Sequence, residues 1–324
     1  MILAKYAIVI VTYNRVDLLR ECIAHAAKQT IPPESIIIVD NASTDDTKTY
    51  LQTLNKEEGI DIISLSQNIG GAGGFAVGME RALQKNAVCV LMIDDDAILA
   101  ENYMEKILAA RNKHPQYKAF AGTVETNGEI DTFHRRNLQK VGLLMKNVQE
   151  EDYRQDYFTC DIASFCGMVA DTDLIRQMGL PHAEYFIFFD DTEYSLRIRQ
   201  VSRFLVITDA KLEHKKKEKI IQNYPRRYEW KDYYNIRNRI LMVKEHGSLV
   251  DEAVNFFDLF LHIVFRNWLF GVIKRSHYDW KYERSLTRAA IKDSTEMRCT
   301  KVSGGDLDRL VHVTEKVSES VYIK

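Results

Sequence analysis

Three carboxylates stand side by side at Asp94, Asp95 and Asp96, directly after the apolar run Val90 to Ile93. Such a cluster repels itself unless a cation neutralises it, and hard oxygen donors suit Mg²⁺ or Mn²⁺. A solvated acidic turn is the plain alternative. Placement at the end of an apolar strand favours the metal, which would offset negative charge on a diphosphate leaving group. A second acidic pair, Asp190 and Asp191, follows Phe186, Phe188 and Phe189, with Glu193 two positions on. Glu193 and one aspartate fit a helix N-terminus, where they cap the chain and complement its dipole. The other, partly desolvated by the phenylalanines, would serve as a general base with a raised pKa. His214 stands alone between Glu213 and a run of lysines. It gains meaning only as a third ligand beside two carboxylates.

Three further polar clusters end apolar runs: Thr12 to Arg15, Asp40 to Ser43, and Asn68 to Gly74. Asp40 could accept from a base N–H, and Thr12 and Asn14 offer hydrogen bonds to the same ring. Asn41, Ser43 and Thr44 are better read as helix-capping and turn residues. The stretch Asn68-Ile-Gly-Gly-Ala-Gly-Gly74 lets backbone approach a ligand without Cβ interference, or forms a tight entry to the helix after it. A dinucleotide site fits poorly. The glycines follow the third predicted strand and lack an acidic residue about twenty positions on.

The elements that must position these groups alternate. Strands are predicted at Tyr6–Val11, Ile36–Val39, Ile60–Leu65 and Val88–Ile93, with helices at Asp17–Lys28, Thr44–Leu54 and Phe75–Leu83 between them. Apolar runs on both strand faces fit a mostly parallel α/β sheet covered by helices on each side. In such a sheet, ligands bind beyond the carboxyl ends of the strands, where the polar clusters fall. The middle of the chain is less periodic, with candidate strands at Ala119–Glu125 and Thr159–Ala170. Tyr185–Arg199 reads as an aromatic strand or turn followed by a helix, and strand Phe204–Thr208 leads to His214. Helices are predicted at Tyr228–Lys244, Leu249–Lys274 and Trp280–Arg298. The division expected is an α/β domain over 1–220 that carries these polar clusters and a helical region over 221–324.

Composition bounds the function. In 324 residues, 44 Lys and Arg stand against 46 Asp and Glu, so no global basic field draws in nucleic acid. Cys22, Cys89, Cys160, Cys166 and Cys299 form no C-x-x-C pair. They suit a reduced cytoplasmic compartment rather than disulfides or structural zinc. The apolar run near Met1 ends too soon for a signal peptide or a spanning helix, and reads as the first strand.

Taken in order, V-x-V-T-Y-N-R, I-V-D-N-A-S-T-D, N-I-G-G-A-G-G-F, I-D-D-D, F-F-D-D-T-E-Y-S-L-R and L-E-H resemble the inverting glycosyltransferases of family 2, which have the GT-A fold. Within that family the chain is most similar to bacterial galactofuranosyltransferases and rhamnosyltransferase-like enzymes. Phe189 stands where close galactofuranosyltransferases often carry Trp. The resemblance places Thr12, Asn14, Arg15 and Asp40 around the nucleotide base, and Asn68, Gly70 and Gly71 near the ribose and diphosphate. It puts Asp94 and Asp95 against the nucleotide sugar, and Asp94, Asp96 and His214 on Mn²⁺ or Mg²⁺. Asp191 falls on the catalytic base and Asp190 on a sugar contact.

The reaction implied is transfer of a sugar, galactofuranose from a UDP donor, to a bacterial surface-glycan acceptor that is lipid-linked. Rhamnosyl transfer from dTDP-rhamnose is the alternative. A non-catalytic nucleotide-sugar binding protein would keep Asp40 and the aspartate cluster but need no base. The Lys215–Lys219 run could close over the diphosphate or be a solvated loop. Val254–Lys274 is the most apolar helix, yet Asp258, His262, Arg266 and Asn267 interrupt it, so it does not read as a spanning helix. Core or subunit packing, in a homo-oligomer, is one role for it. Peripheral contact with the inner membrane face, helped by Lys274, Arg275 and Lys281, is the other.

Overall fold

The computed structural model describes residues 5–54, 57–215, 229–273 and 280–296. In chain order the first half runs β1 (Tyr6–Thr12), α1 (Val16–Ala27), β2 (Ser35–Asp40), α2 (Thr47–Leu54), β3 (Ile60–Ser64), α3 (Gly70–Leu83) and β4 (Cys89–Asp94). Short β5 (Ala97–Leu99) and α4 (Tyr103–Lys113) lead to β6 (Ala119–Thr126) and β7 (Glu129–Ile130). Then come β8 (Arg135–Leu138), β9 (Met145–Asn147), β10 (Tyr157–Cys160), β11 (Ile162–Ala163) and β12 (Met168–Asp171). Helices α5 (Thr172–Met178) and α6 (Asp190–Arg199) precede β13 (Phe204–His214), and α7 (Trp230–His246), α8 (Leu249–Ile273) and α9 (Trp280–Glu296) follow.

The main sheet has the order β10-β13-β6-β12-β4-β1-β2-β3, with β5 paired to β13 and β7 to β6. Strands β3, β2, β1 and β4 are mutually parallel, as are β6 and β13, whereas β12 runs antiparallel between β4 and β6. Alternation along β1 explains the layers. Ala7, Val9 and Val11 pack with Phe75 and Met79 of α3, while Tyr6, Ile8 and Ile10 pack with Leu19 and Ile23 of α1 and Ile107 of α4. The chain leaves β1 toward β2 and β3 on one side and returns to β4 on the other. The carboxyl ends of β1 and β4 therefore border a crevice at the topological switch point.

Four expectations change in detail. The glycine run is not a loop: α3 begins at Gly70. Glycine is a poor helix former, so tertiary contacts hold this turn. Asn41 accepts from Ile69 N at 2.8 Å and donates to Gly70 O at 2.8 Å, and Asn68 Oδ1 accepts from Gly70 N at 2.8 Å. The glycines also let α3 lie close to β1, since a Cβ on Gly74 would stand 2.6 Å from Val11 Cγ1. Helix α2 begins at Thr47 rather than Thr44, because Asn14 Oδ1 holds the Thr44 and Asp45 amides in a turn at 2.7 and 3.3 Å. The span Thr159–Ala170 is divided among β10, β11 and β12, which pair with different partners. Strand β13 runs beyond Thr208 to His214, past a register shift between Ile207 and Lys211.

The three C-terminal helices follow the predicted spans closely. The boundary expected at residues 220 and 221, and Lys216 to Lys219, lie outside the described residues. Among the described residues no helix is long and apolar enough to cross a membrane. The first half of α8 leaves Leu249, Val250, Phe256, Phe257 and Phe260 exposed, and a cavity of ≈ 330 Å³ lies between α7, α8 and α9.

Candidate active site

The crevice gathers the acidic strand end and its partners. Thr12 pairs in register with Asp40, and Val11 with Asp94, so three of the polar clusters share one edge of the sheet. Thr12 Oγ1 donates to Asp95 Oδ2 at 2.7 Å, and Arg15 donates to Asp95 at 3.2 Å and to Asp96 at 2.6 Å. His214, delivered by the extended end of β13, lies with Nε2 3.3 Å from Asp96 Oδ1. The two predicted ligands, 118 positions apart, meet because the end of β13 pairs antiparallel with β5, setting His214 opposite Ala97, the residue after Asp96.

Electrostatics separates the three aspartates. Burial, then the like charges of Asp96, Asp95 and Asp190, push Asp94 well above the ordinary carboxylate range. Burial raises Asp95 to about 6 against the opposing pull of Arg15 and Thr12. For Asp96 burial acts upward too, but His214 and Arg15 outweigh it and hold the group below its usual value. Asp96 Oδ1 is buried and, among the described residues, faces the His214 ring at 3.3 Å without a well-aligned hydrogen bond. A cluster with one carboxyl raised by its neighbours and one oxygen so placed suits a divalent cation, and Asp94, Asp96 and His214 could hold it.

Asp190 and Asp191 open α6, and the loop before them is strained. Phe186, Phe188 and Phe189 all have positive φ, at 59°, 66° and 64°. Each such residue costs on the order of 1–3 kcal/mol, so the surroundings must impose the geometry. Helix α7 does this. Asn238 Nδ2 donates to the carbonyls of Tyr185, Ile187 and Phe188 at 2.8, 2.9 and 2.8 Å, and buried Arg237 donates to Glu184 O. On the other side, Ala72 N donates to Phe186 O at 3.2 Å. The glycine turn and the acidic pair are therefore joined.

Burial, then the charge of Asp191, pushes Asp190 up to about 8. Asp191 Oδ1 accepts from Thr192 Oγ1 at 2.9 Å and lies 3.9 Å from the Arg136 guanidinium, which also bonds Thr192 at 3.0 Å. Glu193 has a structural role. It is fully buried, takes a bidentate pair from Arg197 at 2.8 and 2.7 Å, and meets His246 at 3.0 Å. Burial would raise it, but His246, Arg197 and His182 hold it at about 2.

The remaining predicted residues have mixed surroundings. Asp40 Oδ1 accepts from Ser43 N at 2.9 Å, and Asn14, at φ 54°, staples two loops through Ser43, Thr44 and Asp45. A Cβ on Gly70 would collide with the Phe186 carbonyl, whereas one on Gly71 would meet nothing within 4 Å. Sequence reasoning missed Arg136, Arg237, Asn238 and the pair Asp131 and His134 beside His214. The one signal for Arg237 and Asn238 was a charged residue and an amide on the stripe of α7 shared by Tyr234 and Leu241. His134 is buried, its ring centroid 5.0 Å from that of His214, and burial lowers its pKa to about 4.

The chain is similar in sequence and in fold to known proteins. The chain is 24% identical to the dTDP-rhamnosyl transferase RfbF of Shigella flexneri over 245 residues, 74% of this chain and 79% of that protein. It is 27% identical to the galactofuranosyltransferase GlfT1 of Mycobacterium tuberculosis over 194 residues, 59% of this chain and 63% of the relative. Its fold superimposes on S. aureus TarS 1-349 in complex with UDP-GlcNAc with a TM-score of 0.56 at 16% identity, covering 98% of this chain and 89% of that one. That likeness shows the GT-A fold. Residues 7–179, more than half of the chain, match the glycosyl transferase family 2 model, and the protein is therefore a member of glycosyl transferase family 2.

Proposed function

We propose that this enzyme transfers a sugar, with inversion, from a nucleoside diphosphate donor to a glycan acceptor, using Asp191 as general base. The observation that carries the reading is that Asp94, which stands with Asp96 and His214 at the strand end, also feels the charge of Asp190 in the acidic pair that opens α6. A bound Mn²⁺ or Mg²⁺ would neutralise the leaving diphosphate, and Asp94, Asp96 and His214 are the donors for it. Thr12, Asn14, Arg15 and Asp40 line the nucleotide end, Asn68, Gly70 and Gly71 the ribose and diphosphate, and Asp95 orients Arg15. Asp191 removes the proton of the attacking acceptor hydroxyl. Its neighbour Asp190, with a pKa near 8, holds a proton at neutral pH and can donate it to a sugar hydroxyl. One base on the face opposite the leaving group, with no enzyme nucleophile, gives inversion.

UDP-galactofuranose is the donor this reading favours, and a lipid-linked bacterial surface glycan the acceptor. The similarity to RfbF favours dTDP-rhamnose as the second reading. Exposed Phe256, Phe257 and Phe260 on α8 would bring the enzyme to the surface of the membrane that carries such an acceptor. Mass spectrometry of reactions containing each donor, Mn²⁺ and a polyprenyl-diphosphate glycan decides between the donors. A mass gain from UDP-galactofuranose alone supports the first reading, a deoxyhexose gain the second, and no gain from either overturns both.

A further inference from the structure

We propose that Asp131, His134 and His214 bind a transition-metal dication of the zinc class, at a site that adjoins the strand-end aspartates and shares His214 with them. One donor atom from each of the three lies within 4.8 Å of the others. His134 Nε2 and Asp131 Oδ2 are 3.6 Å apart, close to the roughly 3.3–3.6 Å that metal–ligand bonds of about 2.0–2.2 Å set between donors in a tetrahedron. Two imidazole nitrogens and one carboxylate suit zinc or cobalt, whereas magnesium prefers oxygens alone.

A second observation points to a ligand. His134 is only 6% exposed, and its Nε2 is buried with no hydrogen-bond partner among the described residues, as is His214 Nδ1. Buried imidazole nitrogens without partners are costly, and a cation would satisfy them. The outer contacts are those of a ligand set. His134 Nδ1 is anchored by Ser164 Oγ at 2.7 Å, and Asp131 is oriented by Thr126 Oγ1 at 3.1 Å and Phe133 N at 3.2 Å. The comparable cluster His182, Glu193 and Glu245 differs, because Arg197 occupies Glu193 on both oxygens. His214 Nε2 faces Asp96. A neutral imidazole has one lone pair, so an ion taken by His214 Nδ1 leaves Nε2 protonated and withdraws His214 from the donor cation, a consequence that rests on the assignment of His214 to that cation. Zinc then antagonises manganese-supported UDP binding.

Titration of the nucleotide-free protein with Co²⁺, followed by visible absorption, tests the site. The wild type should give a saturable band that Zn²⁺ displaces and that Asp94→Asn retains. His134→Gln and Asp131→Asn should each lower the Co²⁺ affinity about tenfold or more. Asp131 is partly exposed and the amide keeps its capping contact, so this variant decides the matter if His134→Gln does not fold. No saturable band in the wild type, or unchanged affinity in Asp131→Asn, overturns the site. If Asp94→Asn also leaves manganese-supported UDP binding intact, the donor-cation assignment fails on its own, and the cobalt band still decides this one.

Discussion

The Phe186 carbonyl occupies the space into which a Cβ on Gly70 would project, while the Ala72 amide donates to the same oxygen at 3.2 Å. The two glycines that head α3 therefore have different duties. Gly70, at φ 76°, admits the loop that carries Asp190, and Gly71 faces open space. Gly70→Ala is expected to lower stability by about 1–3 kcal/mol through overpacking and strain, and turnover with it. Gly71→Ala should leave the melting temperature unchanged and weaken UDP binding, because its methyl group stands where a diphosphate would approach. Calorimetric stability and UDP titrations of both variants check this. Unaltered UDP affinity in Gly71→Ala would remove that residue from the donor site.

Asn238 serves the acidic pair from outside the crevice. Asn238→Ala takes the donor from three carbonyls in a loop with three positive-φ phenylalanines, and each buried group left unsatisfied costs about 1–3 kcal/mol. The loop should relax and Asp191 drift from its position. kcat is then expected to fall while UDP affinity stays within a few fold. An equal loss of both would indicate general unfolding instead.

Asp190 sets a pH dependence whose sign follows from its shift. Its folded pKa of about 8 exceeds the ordinary 3.8, so between these values the folded protein keeps a proton that the unfolded chain has lost. Stability conferred by that proton is present at low pH and is lost as pH rises toward 8. Asp94 acts in the same direction. Thermal denaturation in chelator from pH 5 to 8 should show a falling melting temperature, with a shallower fall in Asp190→Asn, which stays neutral throughout. Parallel curves would contradict the shift.

Much of the α/β frame was legible because β1, β2 and β4 are buried on both faces, which forces continuous apolar runs such as Tyr6 to Val11. The strand-end clusters were legible for the same reason, since polarity begins where each strand leaves the core. The middle was not. β8 pairs with β9 and β11 in a separate three-stranded sheet, and its first residue, Arg135, is fully buried by donating to Gly122 O, His134 O and Cys166 O. No hydrophobic period announces a buried arginine. The positive φ values at Phe186, Phe188 and Phe189 had no signal either, because the residues that mark such turns are Gly and Asn. Asn41 was read as a capping residue, and the structure gives it a further duty as the anchor of the glycine turn.

Asp191→Asn should retain UDP affinity within a few fold and lose turnover by about 10²- to 10⁴-fold, because the amide keeps the shape but takes no proton. Glu193 offers no substitute, since Arg197 and His246 hold it in the core. Single-turnover transfer, with UDP titration alongside, measures both. Near-normal turnover would remove Asp191 from the role of base.

The donor cation at Asp94, Asp96 and His214 is tested most directly by calorimetric titration of UDP with Mn²⁺ and with chelator, in the wild type and in Asp96→Ala. With Mn²⁺ the wild type should bind UDP at least about tenfold more tightly than with chelator, a difference of roughly 1.4 kcal/mol or more, and Asp96→Ala should abolish the difference. Equal UDP affinity with Mn²⁺ and with chelator, together with transfer that survives Asp96→Ala, would contradict it.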